Sequence, residues 1–207
     1  MTWHSFSFGS HYDPDRVGFG PMVVHDEHLL AAGQGFDTHH HERVEILTWV
    51  LTGALTHRDS TGTTSELRPG SVGILSAGSG VEHSEIAAAP QTRFVQVWLD
   101  GEAEASPSYA VVPVAFDDGA TGFTEVAAPA AGASFAVARL AAGETVVLPE
   151  AALRHLFVAS GALLRNSLAE PLGAGDAYEI TDADGSTKET VAVTAGVPTE
   201  LLLWSFS

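Results

Sequence analysis

The stretch THHHERVEILTWVLTGALTHRDSTGTTSELRPGSVGILSAGSGVEHSE, residues 38–85, is the part of the chain from which fold and chemistry can be predicted. It contains two short polar pairs, His39-x-His41 near its start and His83-x-Glu85 at its end, and divalent transition metals accept both imidazole and carboxylate ligands. Side chains two residues apart in a β-strand point to the same face, so each pair presents two ligands together if its segment is extended. The two pairs predict a metal site with nitrogen and oxygen ligands.

Neither pair is specific by itself, because short pairs that contain histidine also arise by chance. Two further matches to His-x-Glu, His25-x-Glu27 and His40-x-Glu42, have no role in our interpretation. The sequence between the pairs strengthens the metal prediction, since an apolar run at 44–51 follows the first pair and a Pro69-Gly70 turn precedes the second. The alternative is that both pairs are solvated side chains at strand ends.

The composition is that of a β-sheet protein. The 21 Gly and 10 Pro, with many Val, Thr and Leu in short runs, favour strands joined by tight turns over long helices. The run at 44–51 does not alternate cleanly, as expected of a strand covered on both faces. We predict an all-β fold of the double-sheet jelly-roll type. The clearest predicted strands are 44–52, 55–58, 66–67, 71–75, 81–86 and 93–99.

The segment 1–36 contains large apolar side chains interleaved with Gly, Asp and Pro, which predicts an extended, turn-rich segment packed against a sheet. We expect these side chains mainly to fill a core rather than to contact a ligand. They are Phe6, Phe8, Tyr12, Phe19 and Met22.

The chain is predicted to contain two domains. The small and acidic stretch GEAEASPS at 101–108 has the composition of a linker. A faint repeat follows it, because TGALTHR at 52–58 has a counterpart in SGALLRN at 160–166. We therefore predict domains 1–108 and 109–207 with the same sheet architecture.

The repeat also allows the two halves to be compared for metal ligands. A shift of 108 residues places Val147 and Pro149 at the positions of the first histidine pair, and His155 falls out of register. Neither His-x-His nor His-x-Glu occurs after residue 100. The second domain is therefore predicted to lack metal ligands.

The motifs of the first half resemble those of a known family. The pattern H-x-H-x-x-x-E-[IV]-[IL]-T-[YW]-V-L-x-G at 39–53, then H-R-D-S-x-G at 57–62, L-x-P-G-[DS]-V at 67–72 and S-A-G-x-G-[IV]-x-H-S-E at 76–85, is similar to the N-terminal signature of the pirin family of bicupins. The match covers essentially the whole first half. His40 departs from the pattern, because the family usually has Pro there.

This resemblance implies two tandem cupin β-barrels in one chain, with His39, His41, His83 and Glu85 as the ligands of an iron ion. Several bacterial members are similar to quercetin 2,3-dioxygenases, which open a flavonol ring with dioxygen and release carbon monoxide. The implied function is that of an Fe(II) dioxygenase acting on a quercetin-like flavonol or a related enolic aromatic substrate. The alternative is a non-enzymatic, redox-sensing regulator that binds a protein partner. The chain is shorter than many members, mainly in its second half.

The ligand types suit Fe(II), and also Mn, Ni, Cu or Zn, because affinity alone does not select among these metals. Octahedral coordination by four protein ligands would leave two positions for water, dioxygen or a substrate oxygen. Glu85 is a candidate catalytic base, since a carboxylate that leaves the metal can accept the proton of a bound hydroxyl. His57, two residues before Asp59, is a candidate to orient a ligand or line the cavity, and the alternative is a half-exposed polar strand end.

Charge and composition exclude several classes of partner. With 9 Lys and Arg against 26 Asp and Glu, the net charge of −17 repels nucleic acid phosphates and anionic membranes, and it would attract a basic protein partner. The chain has no Cys, so any metal must bind to nitrogen and oxygen. The N-terminus lacks signal-peptide features and no apolar run has membrane-spanning length. We expect a cytoplasmic protein, and a monomer because a bicupin already contains two barrels.

Overall fold

The computed structural model shows a protein built from β-strands. It describes residues 1–7, 12–116, 122–130, 132–164, 170–182 and 190–207, so that Phe8 and the repeat positions 165 and 166 lie outside the described residues. The chain divides into two compact units, Met1–Ala115 and Phe116–Ser207. In the described ranges, no helix is long and apolar enough to cross a membrane.

The first unit consists of two sheets. All six strands predicted for this half are confirmed, with ends that differ by at most two residues. The strands are β1 (Thr2–His4), β2 (Met22–Leu30), β3 (Gly35–His41), β4 (Val44–Thr52), β5 (Leu55–Asp59), β6 (Thr64–Leu67), β7 (Ser71–Ser76), β8 (Val81–Ala87), β9 (Thr92–Asp100) and β10 (Ser108–Pro113). One sheet has the order β1-β2-β9-β4-β7-β10 and the other the order β3-β8-β5-β6.

The two sheets of the first unit pack face to face. One apolar cluster joins Val50 and Phe94 of the six-stranded sheet to Leu55 and Leu67 of the four-stranded sheet. Strand β4 is central in its sheet and its residues 45–50 are buried, as predicted for a strand covered on both faces. The four-stranded sheet, which contains both predicted ligand pairs, is thereby held against a rigid support.

The second unit repeats this architecture. Its strands are β11 (Thr124–Ala127), β12 (Ala133–Leu140), β13 (Thr145–Val147), β14 (Leu153–Ser160), β15 (Ala177–Thr181), β16 (Ala192–Thr194) and β17 (Thr199–Phe206). The order β11-β12-β17-β14-β15 contains the same succession of strands as β2-β9-β4-β7 in the first unit, and β13 pairs with β16. The prediction of an all-β chain with two tandem cupin barrels is confirmed.

The division between the units lies seven residues beyond the predicted boundary after residue 108, since unit 1 ends at Ala115. The reason is that β10 pairs with β7 along its whole length and completes the first sheet. Residues 101–107 therefore form a loop within the first unit, and Ser108 begins β10. The backbone N–H of Ser79 donates to the carbonyl oxygen of Ala105 at 2.9 Å and fixes this loop in place.

The turn before the second ligand pair depends on two glycines. Gly78 has φ +49°, and a Cβ atom there would overlap the carbonyl group of Ala105. Gly80 has φ +130°, a conformation that side chains rarely adopt. The turn therefore requires glycine for both its shape and its contact with the loop.

Gly35 allows β3 to lie close to β8. A Cβ atom at Gly35 would overlap the carbonyl oxygen of Glu85 and would lie 2.8 Å from the Cα atom of Ile86. Real Cβ atoms do not approach backbone so closely, so any larger residue at this position must push the two strands apart. The pairing of β3 with β8, which contain the two predicted ligand pairs, depends on this close approach.

We expect the substitution Gly35→Ala to lower the free energy of unfolding by about 1–3 kcal/mol, because the strands cannot accommodate the methyl group without moving. The matched control is Gly173→Ala, whose added Cβ atom would find its nearest neighbour at 3.9 Å. This control should change stability by less than about 0.5 kcal/mol. Denaturant unfolding measures both, and equal stabilities of the two variants would contradict the close approach.

Candidate metal centre

The antiparallel pairing of β3 with β8 brings the two predicted ligand pairs together. His39 lies directly opposite His83 in the register, and their ring centroids are 4.5 Å apart. His41 lies on the same face of β3, with its ring centroid 4.7 Å from that of His39 and 5.0 Å from that of His83. Three imidazoles from two distant stretches of sequence therefore form one cluster.

A β-bulge in β3 determines which side chains face this cluster. Phe36 pairs with Glu85 and His39 pairs with His83, so three steps along β3 correspond to two steps along β8. In a regular strand, side chains three residues apart point to opposite faces. The extra residue in the bulge of β3 places the side chains of Phe36 and His39 on the same face. Phe36 and His39 are consequently neighbours, with ring centroids 6.4 Å apart.

The nitrogen atoms of the three histidines are arranged to accept a cation. One ring nitrogen from each of His39, His41 and His83 lies within 4.8 Å of the others. The Nδ1 atom of His39 lies 2.7 Å from the carbonyl oxygen of Asp37, and because a carbonyl only accepts, this nitrogen carries the hydrogen and Nε2 has the lone pair. In the described structure, the Nε2 atoms of His41 and His83 are buried without a hydrogen-bond partner.

These spacings fit a bound metal. Imidazole nitrogens lie about 2.0–2.1 Å from a metal such as zinc, so two ligands on opposite sides are about 4 Å apart. Buried polar atoms without partners are rare in proteins, and a metal ion satisfies such atoms. The residues present therefore fit a divalent transition metal.

Burial keeps the rings of His41 and His83 neutral. Burial, followed by the neighbouring histidines His39 and His40, lowers the pKa of His41 to about 4. Burial and the neighbouring imidazoles, His39 first, lower the pKa of His83 to about 3 against the opposing effect of Asp59. Neutral imidazole is the form that binds a metal, so both rings are available at neutral pH without deprotonation.

Glu85 adjoins the three-histidine cluster but belongs to a second group. Its carboxylate forms a buried group with His57 and His83, in which one ligand atom from each residue lies within 4.8 Å of the others. His83 is common to both groups. Glu85 is fully buried, and burial raises its pKa to about 7 although a hydrogen bond from Gln96 opposes the rise.

A chain of hydrogen bonds orients Glu85. The Nε1–H group of Trp98 donates to Oε1 of Gln96 at 3.0 Å, and Nε2 of Gln96 donates to Oε2 of Glu85 at 2.7 Å. An indole N–H can only donate, so it fixes which end of the Gln96 amide faces the carboxylate. Oε2 of Glu85 therefore accepts a hydrogen bond, and a proton on this carboxyl group resides on Oε1.

His57 is buried, which excludes a half-exposed strand end. Its Nε2 atom lies 3.0 Å from Oδ2 of Asp59 and its Nδ1 atom lies 3.5 Å from Nδ1 of His83. Its ring stacks on Tyr109 with centroids 3.6 Å apart and an interplanar angle of 5°. Burial lowers the pKa of His57 although the hydrogen bond with Asp59 opposes this. Both ring nitrogens therefore have partners, and His57 supports the cluster from outside.

Three residues around the cluster were not predicted from the sequence: Gln96, Trp98 and Tyr109. Gln96 left a signal, because it is a polar residue in the middle of the apolar strand FVQVW at 94–98 and is 5 % exposed. Trp98 and Tyr109 left none, since aromatic residues in strands usually fill a core. His40 lies outside the cluster as expected, with an exposed ring 3.7 Å from the carboxylate of Glu42.

A cavity of about 660 Å³ opens beside the cluster. It is lined by Thr2, His4, Asp26, His28, Gly35, Phe36, Asp37, Thr38, His39, Gln96 and Trp98. Nδ1 of His4 lies 2.9 Å from Oδ1 of Asp26 in this wall. The pKa of Asp26 is raised by burial against the effect of His4.

The N-terminal segment therefore contributes to this cavity through β1 and β2. The expectation that its large apolar side chains fill a core is confirmed for Phe6 and Met22, which are buried. It is wrong for Tyr12, which is 73 % exposed. The polar side chains of β1 and β2, which the sequence analysis left without a role, line the cavity instead.

Proteins of known sequence and structure resemble this chain. A Mycobacterium tuberculosis protein named provisionally as a quercetin 2,3-dioxygenase is 39 % identical over 215 residues, which cover 97 % of this chain and 86 % of the relative. Quercetin 2,3-dioxygenase of Escherichia coli is 41 % identical over 100 residues, which cover 47 % of this chain and 43 % of the relative. A crystal structure of the bacterial pirin YhhW from Escherichia coli, in complex with nickel(II), is also similar. It aligns with a TM-score of 0.84 and 28 % sequence identity, and the alignment covers 99 % of this chain and 90 % of the YhhW chain.

The family model named Pirin matches residues 1–99. The similarity to the mycobacterial relative extends over both units, and the strand order and the histidine cluster agree with the motifs that the sequence displays. The chain belongs to the pirin family of bicupins.

Proposed function

We propose that this protein is an Fe(II)-dependent dioxygenase that cleaves the ring of a flavonol such as quercetin. In this proposal His39, His41, His83 and Glu85 hold the metal. The observation that supports it most strongly is the cluster of three imidazoles, in which the buried Nε2 atoms of His41 and His83 have no hydrogen-bond partner in the described structure; the cluster lies beside a buried carboxyl group and at the wall of a cavity. The names of the mycobacterial and Escherichia coli relatives point to the same reaction.

A divalent metal at this position would supply a Lewis acid with open coordination positions for a substrate oxygen and for dioxygen. Imidazole nitrogen suits Fe, Ni, Cu and Zn, and the nickel(II) in the related YhhW structure supports a metal of this class. Three histidines and one carboxylate leave room in an octahedral shell. Fe(II) is our proposal because the proposed reaction uses dioxygen.

Glu85 is proposed to take the proton of the flavonol hydroxyl group. In the metal-free protein burial raises the pKa of Glu85 to about 7, and a carboxylate that leaves the metal in this buried position is basic enough to accept a proton at neutral pH. The hydrogen bond from Gln96 holds Oε2, so Oε1 is the atom that receives the proton. Glu85 and Gln96 are both buried, which excludes water that would otherwise compete for this proton.

The cavity is proposed to bind the rest of the flavonol. Its volume lies within the range of about 300–1,000 Å³ that is typical of small-molecule sites. Phe36 and Trp98 offer aromatic surfaces for a planar ring system. Asp26 and His4, on the wall formed by β1 and β2, offer polar atoms as hydrogen-bond partners for phenolic hydroxyl groups.

The metal-free protein, reconstituted with Fe(II) without oxygen, should consume quercetin and release carbon monoxide when oxygen is admitted. The variant Glu85→Gln should lose about 100-fold or more in kcat, because general base catalysis contributes about 10²–10⁴-fold. The matched control is Glu82→Gln, an exposed residue of the same strand that should retain activity. Loss of quercetin absorbance and gas analysis measure the reaction. Absence of turnover with Fe, Mn, Ni, Cu and Zn would exclude quercetin as a substrate.

Metal binding should depend on the cluster and not on the neighbouring histidine. We expect His83→Gln to weaken the binding of Ni²⁺ by more than about 100-fold, since loss of a ligand exceeds the 10–100-fold effect typical of residues that only support one. His40→Gln is the control, because its exposed ring lies outside the cluster and should leave the affinity unchanged. Titration calorimetry measures both variants. Equal affinities of wild type and His83→Gln would place the metal elsewhere.

The cavity wall should affect substrate binding rather than metal binding. Asp26→Asn should raise KM for quercetin by about 10-fold, because a hydrogen bond to a charged group contributes about 1.5–3 kcal/mol. Trp3→Ala on the adjacent strand is the control, since Trp3 is 48 % exposed and is not part of the cavity lining. Steady-state kinetics of both variants, together with Ni²⁺ affinity, measure the effect. A decrease in kcat at constant KM would contradict the proposed role of Asp26.

A further inference from the structure

We propose that Asp59 and His57 act as positioning residues that determine which nitrogen of His83 carries the hydrogen. Through them, the Nε2 lone pair of His83 is kept directed at the metal cluster. The inference rests on the proposed metal site, but it does not depend on the reaction that takes place there. A hydrogen bond of 3.0 Å joins Asp59 to His57, and a contact of 3.5 Å between ring nitrogens joins His57 to His83, so the three residues link β5 to β8.

The carboxylate of Asp59 is held by three hydrogen-bond donors. Its Oδ1 atom accepts hydrogen bonds from the backbone N–H and the hydroxyl group of Thr61, at 2.9 Å and 2.6 Å, and from the backbone N–H of Thr63 at 3.1 Å. A carboxyl group that accepts several hydrogen bonds favours its charged form. Oδ2 is therefore an acceptor, and Nε2 of His57 must donate to it across 3.0 Å.

Because Nε2 of His57 donates to Asp59, His57 also determines the hydrogen-bonding role of His83. A neutral imidazole has one donor and one acceptor nitrogen, so His57, which donates from Nε2, accepts at Nδ1. Its neighbour there is Nδ1 of His83 at 3.5 Å, which must carry the hydrogen if the two are to bond. The distance is long for a hydrogen bond, and such contacts commonly shorten when a ligand binds. His83 is then left with a lone pair on its buried Nε2 atom.

Strand pairing and packing fix the positions of Asp59, His57 and His83. In the pairing of β5 with β8, Asp59 lies opposite His83 and His57 lies opposite Glu85. Tyr109 stacks on His57 in an almost parallel orientation and fixes the plane of its ring. The side chain of Asp59 is fully buried, so water does not replace it as a partner. The geometry thus allows one direction of hydrogen bonding from Asp59 to His83.

The variant Asp59→Asn should reverse the direction of hydrogen bonding, so that residue 59 donates to His57 and His57 donates to His83. The three donors around Oδ1 hold the amide oxygen of the new Asn side chain on their side, so its NH₂ group faces Nε2 of His57. His57 must then accept at Nε2 and carry its hydrogen on Nδ1. His83 becomes the acceptor at Nδ1, and its hydrogen moves to Nε2, where it blocks metal binding.

The experiment compares metal-free wild type and Asp59→Asn by ¹⁵N NMR of the histidine rings, together with the affinity for Ni²⁺. We expect His83 to carry its hydrogen on Nδ1 in the wild type and on Nε2 in the variant. The affinity for Ni²⁺ should fall about 10–100-fold, as is typical when a residue that orients a ligand is lost. An unchanged tautomer of His83 in the variant would overturn the proposal, even if metal binding became weaker, because the loss would then come from packing.

Two further variants make the test independent of charge and of folding. Glu82→Gln removes one negative charge from the residue next to His83, but its side chain is exposed, so both tautomer and affinity should stay as in the wild type. His57→Phe retains an aromatic ring against Tyr109 but removes the acceptor for His83. It should give a mixture of His83 tautomers, and a single Nδ1–H form in this variant would also overturn the proposal. Quercetin is used in neither measurement, so failure of the dioxygenase assay and failure of this inference are separate results.

Discussion

The register between β3 and β8 is the constraint on which the metal centre depends. Opposite residues in an antiparallel pair have their side chains on the same face, and here those residues are His39 and His83. A slip of one residue would turn the side chains of one ligand pair to the opposite face of the sheet, away from the other pair. The close approach at Gly35 and the bulge after Phe36 maintain the register on one side, and the turn at 77–80 maintains it on the other.

Burial makes the arrangement chemically useful. Polar groups removed from water need partners, and in the first unit two sets of hydrogen bonds meet this need from opposite sides. Gln96 holds Glu85, and His57 lies against His83. The same loss of water keeps His83 neutral and raises the pKa of the Glu85 carboxyl group, so that a cation would suit the cluster as a partner.

The two units show how one strand order serves different purposes. The first unit has a cavity and a cluster of polar residues between its sheets. In the second unit a continuous apolar cluster that includes Val146, Leu148 and Val193 occupies the interior. Val147 and Pro149, which the repeat places at the positions of the first histidine pair, are exposed and lie outside this cluster. Because backbone pairing sets the strand order and inward-facing side chains set the chemistry, the two can vary independently.

The sequence by itself determined six of the ten strands of the first unit, the all-β class and the two histidine-containing pairs, because these follow from local periodicity and from residue type. It did not determine the role of 101–108, since a loop and a linker have the same composition and only the pairing of β10 distinguishes them. It also did not show that Gln96 contacts Glu85 or that His57 contacts His83. Those contacts join strands that are distant in sequence, and the bulge that aligns β3 depends on pairing partners rather than on local propensity. The tertiary structure decided them because a side chain's neighbours inside a barrel are set by strand order and register.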